Sequence, residues 1–525
     1  VHSNRISALE HDMYDEQKRN ALLEKTITML EQRLEIESNK PKVVLSVGRS
    51  TKKSPGLANM LSSWLIQVIT ISSLYISFSV LINRKYTGVR LSSKHKVTIF
   101  GMIVLVYLLA YNGLPMSTNQ AMTHGFDKKA LGAMDLSTDG RNKVPLTSDV
   151  LLYWKPDYLS KTLDLIKNGH YQAHFKALMT NAKKYLNEPL QSVVLKTEIA
   201  PSENKHDFYS RTFYKPDADG IQHPDVFANK YDKVSLWKME NITSSLSLAY
   251  YLTGNEIYAK RCAQQIKGWF IDPASRMTPH LLYASVEVEL KRPIGRQYGI
   301  VEAHPFKTMI EAVGLIEHSP YWTKEDTKAL KEWFRDFTFW MLTSQFGHLE
   351  ERSGNNHQTG FYALLMRFLV FIDEKEVAKR YFSFAKYKLF KQFEPDGKQK
   401  RELKRPDAFW YVGYNLNFAT ELADLADSLG VSFWTFESVD KRTLRKAIDW
   451  CIPYILEQEK FQFGIHPLTK VDLMLVYLPM LRRAANFYLD KHYEQVFDKI
   501  VKKWKIPPEQ LQFELYMPRV ISPST

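Results

Sequence analysis

From about residue 146 onward, apolar positions recur every three or four residues, and the chain reads as a succession of helices. Leu246, Ala249 and Tyr250 open one stretch, Thr253-Gly254-Asn255 interrupts it, and Tyr258, Cys262, Ile266 and Trp269 resume it. That is the signature of helix, tight turn and helix. The same spacing predicts helices over 308–317, 324–343, 359–372, 375–392, 414–429, 441–457, 470–486 and 490–503. Strict apolar–polar alternation is scarce, so residues 146–525 are expected to be all-α, built of helical hairpins. Periodicity alone leaves solenoid, bundle and closed toroid open.

The first 145 residues differ. In segment 1–55, Leu23, Ile27, Leu30 and Leu34 step by four, three and four with charged residues between them. This is either a solvated amphipathic helix or a short coiled coil pairing two copies of the chain through residues 20–36. Segment 56–115 carries two apolar runs, 60–82 and 97–114, of the length that about 20 residues need to cross a bilayer. Neither is followed by a small-residue cleavage site, so both are expected to be membrane anchors rather than signal peptides. Arg84, Lys85, Arg90, Lys94 and Lys96 lie between them. The positive-inside rule puts that loop in the cytoplasm and the large domain on the extracytoplasmic side of the membrane. Residues 116–145 are polar, aperiodic and read as a linker. The triplet Asn241-Ile242-Thr243 is a glycosylation sequon, relevant only to a luminal domain.

Composition narrows the partner. The 525 residues carry a formal charge of +14, which favours a polyanion: nucleic acid, membrane surface or acidic polysaccharide. No zinc-finger spacing, long Lys/Arg block or strand-binding aromatic signature is present, so nucleic acid is not the expected partner. Cys262 and Cys451, the 2 cysteines, fall in apolar helical stretches and read as buried free thiols. No metal-ligand spacing, phosphate loop or dinucleotide fingerprint occurs, so neither metal nor cofactor is expected.

The candidate chemistry lies in Asn355-Asn356-His357, in Glu402-Leu403-Lys404-Arg405 and in Tyr411. Amide, imidazole, guanidinium and phenol suit proton abstraction from C5 of a uronic acid. The neighbouring carboxylate must be neutralised, C5 needs a base, and the departing glycosidic oxygen needs an acid. Each residue also has a plainer reading. Asn356 could cap a helix, Arg405 could bridge charges at the surface, and Tyr411 could pack among Phe409, Trp410 and Tyr414. A glycosidase would need two carboxylates, and Asp396 with Glu402 is the only tempting pair, in a lysine-rich loop.

The order of motifs adds a resemblance. His206-Asp207-Phe208-Tyr209-Ser210, the hairpin Leu246 to Met277, Gly299-Ile300-Val301-Glu302, Gly354-Asn355-Asn356-His357 and the stretch Glu394 to Leu416 follow one another across roughly 200–480. Together they resemble the alginate-lyase-like domain of polysaccharide lyase families 5 and 38, closer to the family 38 pattern. The chain departs from it at Tyr214-Lys215-Pro216, where the family has Trp-Trp-Pro, and at Tyr283-Ala284-Ser285 and Gln358-Thr359-Gly360. The resemblance implies an incomplete (α/α) toroid with a cleft for an acidic polysaccharide. It implies that Asn356 and His357 contact the substrate carboxylate, that Arg405 binds a carboxylate or subsite, and that Tyr411 gives a proton to the leaving oxygen. His357 or Tyr411 would be the base. Tyr209, Tyr298, His304 and Glu402 are further substrate-binding candidates. The expected function is a membrane-anchored lyase cleaving a uronate polymer of alginate or glucuronan type. A silent acidic-glycan-binding protein and a uronate epimerase on the same fold are the alternatives.

Overall fold

A computed structural model describes residues 144–520, except 147, 216–217 and 291–292. The helix expected at 20–36 and the apolar runs 60–82 and 97–114 lie outside the described residues. Among the described residues, no helix is long and apolar enough to cross a membrane.

Two helices, α1 (Pro156–Lys167) and α2 (Gln172–Leu186), precede the main array. The array alternates between two layers. Helices α3 (Asp232–Thr253), α5 (His304–Ile316), α8 (Asn356–Phe371), α10 (Ala408–Ser428) and α13 (Leu478–Tyr488) pack side by side in sequence order. Against them lie α4 (Glu256–Phe270), α6 (Lys324–Thr343), α9 (Lys375–Phe390), α11 (Leu444–Ile455) and α14 (Lys491–Lys503). The short α7 (Gln345–Glu351) links α6 to α8, and α12 (Lys470–Asp472) leads into α13. Helices α8 and α10 are buried almost all round, whereas α4, α11 and α14 bury one stripe. This is the division expected of an inner and an outer layer.

Local rules set the joints. Gly254 ends α3 in the left-handed region at φ 67°, where a side chain would be strained, and Asn255 then caps α4. Thr323 and Asp326 form a reciprocal capping box at the start of α6. Before α13 the backbone widens into a π turn, Leu473–Tyr477. Pro479, which can supply no N–H, follows one turn later.

The first and last inner helices are bridged by α2 and the C-terminal segment. His174 of α2 meets Glu514 at 3.1 Å, and Glu514 also accepts from Arg482 of α13 at 2.8 Å. Cys262 and Cys451 are buried in α4 and α11 as free thiols.

The all-α expectation needs one correction. Among the described residues four short strands occur: β1 (Tyr209–Arg211), β2 (Tyr214–Lys215), β3 (Ala218–Gln222) and β4 (Tyr283–Val286). Strands β1 and β4 pair parallel, with Tyr209 opposite Tyr283; β2 and β3 form an antiparallel hairpin. Their two to five residues are too few to show a period of two in sequence.

Candidate active site

Helix α7 ends in Glu350 and Glu351, and the chain turns at Gly354, φ 68°, into α8. A Cβ there would sit 2.6 Å from the Arg401 guanidinium. Asn355, not Asn356, caps α8: its side chain accepts from His357 N at 3.2 Å. Asn356 is wholly buried. Its backbone N donates to Glu402 Oε1 at 2.6 Å and its Nδ2 to Oε2 at 2.8 Å. A carboxylate at the start of a helix is favoured by the helix dipole. Burial pushes the Glu402 carboxyl up, and the two Asn356 donors oppose it.

Two of the expected substrate contacts are turned inward in the structure. Glu402 is buried, and it clamps the 394–407 loop to the N-terminus of α8. Asn356 has its amide N–H on Glu402 and no exposed surface. The clamp holds the backbone that carries His357.

His357 emerges beside it with 21% of its side chain exposed. Its Nδ1 lies 2.7 Å from Oε1 of Glu350, which is almost entirely buried. Burial alone would lower the imidazole pKa, but the Glu350 carboxylate outweighs it and the pKa is raised. The ring of Tyr298 stands 6.0 Å away, its hydroxyl donating to Glu287 at 2.9 Å.

Arg405 completes the group. Its Nε and Nη2 hold Asp219 of β3 in a two-pronged pair at 2.6 and 2.7 Å. Nη2 also donates to the Tyr411 hydroxyl at 2.8 Å. Burial pushes the Tyr411 phenol up to about 12; Arg405 pulls it down and Asp219 pushes it back. Tyr214 of β2 lies within hydrogen-bonding reach of Tyr411 and donates to Asp407.

The other candidates fall elsewhere. Tyr209 is buried, its ring edge-on to Tyr231 at 5.4 Å. His304 opens α5 and lies against Phe418 at 5.4 Å. Phe418 is seven residues beyond Tyr411 on α10, so about 10 Å along the helix. Burial, then Lys307, pushes the His304 imidazole down to about 3, so it is neutral. The sequence reading missed Glu350, Asp219 and Glu287. Nothing local marks them, since each owes its place to a partner distant in sequence or across a turn. Tyr214 was visible only as a departure from the Trp-Trp-Pro pattern.

The alginate lyase family model matches residues 192–461, just over half the chain. The chain is 29% identical to an alginate lyase from Bacteroides ovatus, with a TM-score of 0.65, over 70% of this chain and 98% of that one. It is 14% identical to alginate lyase A1-III from Sphingomonas species A1, with a TM-score of 0.39, over 60% of this chain and 87% of that one. Comparison with curated proteins gives no match. The protein is a helical polysaccharide lyase. It belongs to the alginate lyase family.

Proposed function

We propose that this lyase cleaves a uronate-containing polysaccharide, of alginate or glucuronan type, by β-elimination. The observation that carries the reading is the neighbourhood of two proton-handling groups with opposite electrostatic settings. Glu350 keeps His357 inclined to hold a proton, and burial keeps Tyr411 protonated with Arg405 on its hydroxyl.

A uronate seated between them presents its carboxylate to the His357 imidazolium and to Arg405, once Arg405 leaves Asp219. Neutralising that carboxylate acidifies the C5 proton, because the carbanion charge spreads onto it. The base takes the proton, the C5 electron pair forms the C4–C5 double bond, and the C4–O bond breaks. Tyr411 gives its proton to the departing oxygen. Where the C5 proton and the leaving oxygen share a face, Tyr411 must first release its own proton to solvent, Arg405 stabilising the phenolate against the burial that favours the phenol; it then takes the C5 proton and delivers that proton to the departing oxygen. On the C5 epimer, His357 Nε2 in its neutral form is the base. Asn356 and Glu402 position His357. Residues 60–82 and 97–114 would anchor the chain with residues 146–525 outside the cytoplasm.

The test is incubation of the purified protein with alginate, glucuronan, pectate and glycosaminoglycans, read by ultraviolet absorbance of the conjugated double bond. A lyase of this kind produces it on a uronate polymer. Binding with no unsaturated ends on any polymer would favour a silent glycan-binding protein. Exchange of the C5 proton without cleavage would favour an epimerase.

A further inference from the structure

Four aromatic rings touch one another in succession, beginning beside Tyr411. Tyr214, beside the Tyr411 hydroxyl, meets Phe213 with ring centroids 4.9 Å apart. Phe213 meets Phe227 at 5.7 Å, and Phe227 meets Trp237 of α3 at 5.3 Å. Phe227 and Trp237 are 41% and 40% exposed. Large exposed rings in a contiguous patch mark an interaction surface. Phe213 stands edge-on to both Tyr214 and Phe227, at 80° and 78°, so the exposed rings that a sugar's C–H face can meet are Phe227 and Trp237.

We propose that Phe213, Phe227 and Trp237 form an aromatic track that holds the acidic polysaccharide beyond the catalytic subsite, so that long chains are preferred over short ones. This rests on the lyase reading above. Continuity with the active site selects the occupant: the track begins at Tyr214, which shares Asp407 and Tyr411 with the catalytic group. Lys215 is exposed beside Tyr214 and offers one cation to a polyanion, whereas Lys233, 5.9 Å from the Phe213 ring centre, is buried and paired with Glu302.

The experiment compares the full-length protein in detergent with Phe227→Ala/Trp237→Ala and with Trp237→Tyr. Substrates are the best-cleaved polymer and a uronate tetrasaccharide, with melting temperature as the folding control. The double variant should raise KM for the polymer about tenfold, the scale of one or two lost aromatic contacts. Its kcat, and its rate on the tetrasaccharide, should stay within about twofold of wild type. Trp237→Tyr should keep most of the polymer KM. An unchanged polymer KM, or equal loss on short and long substrates, overturns the track. If wild type generates no unsaturated product on any polymer, the lyase reading has failed, and the track is judged by affinity electrophoresis. Loss of retardation by the polymer gel in the double variant then supports it, and unchanged retardation overturns it.

Discussion

The Arg405 guanidinium lies 3.8 Å over the ring of Tyr411 and donates to the same residue's hydroxyl at 2.8 Å. One cation thus touches the phenol at its face and at its oxygen, and spends its remaining edge on Asp219. A charge placed there stabilises a phenolate. Asp219 opposes that stabilisation for as long as it stays. The charge state of the proton donor is tied to the hairpin that carries Asp219.

Tyr411→Phe should lower turnover by about 10²–10⁴-fold, the usual worth of a general acid or base. Polymer binding should change little, since only the hydroxyl is lost. Single-turnover formation of unsaturated product, beside binding of the same oligosaccharide, checks this. Retention of a tenth of the wild-type rate would remove Tyr411 from proton transfer.

Asp219→Asn should free the Arg405 fork for a substrate carboxylate and lower KM several-fold. It should also lower the Tyr411 pKa, because the Asp219 charge raises it. The alkaline limb of a kcat profile that depends on Tyr411 therefore moves to lower pH. A higher KM would mean that Asp219 positions Arg405 for substrate rather than competing with it.

Glu350→Gln should lower the His357 pKa, since the Glu350 carboxylate is what raises it. If the imidazolium neutralises the substrate, activity is lost as pH rises through that pKa, so the loss should come at lower pH in the variant. The same pair bears on folding. With the folded pKa above the ordinary value near 6.5, its stabilisation is full below that pH and disappears as pH rises through the folded value. Urea midpoints across neutral pH, for wild type and variant, read this contribution.

Glu402→Ala should destabilise the domain by about 2 kcal/mol or more, because it leaves the Asn356 N–H and amide buried without an acceptor. Loss of activity should accompany a fall in melting temperature. A variant of normal stability and no activity would return Glu402 to direct contact with substrate.

Helices were legible wherever one face is solvated. The α6 boundaries follow from its spacing to the residue, and the Thr253-Gly254-Asn255 break is the observed turn. Helix α10 begins six residues before the expected 414, because Ala408 to Gly413 is apolar nearly all round and gives no stripe to read. At the site, His357, Arg405 and Tyr411 are singled out by the order of family motifs, since each residue alone has a plainer reading, and the fold places Arg405 on the Tyr411 hydroxyl. The exchange of roles between Asn355 and Asn356 was not, since adjacent asparagines have the same capping chemistry and only the backbone torsion separates them. Glu350 and Asp219 act across gaps of seven and 186 residues, which no local pattern encodes.

Cys262 and Cys451 have one further consequence. Each is locked inside a separate outer-layer helix, and burial pushes both thiols up, out of the reactive thiolate form. The domain has no crosslink to form and no exposed sulfur to protect. Its folding is therefore indifferent to the redox potential around it, and the catalytic domain can be produced in a reducing host without oxidative refolding.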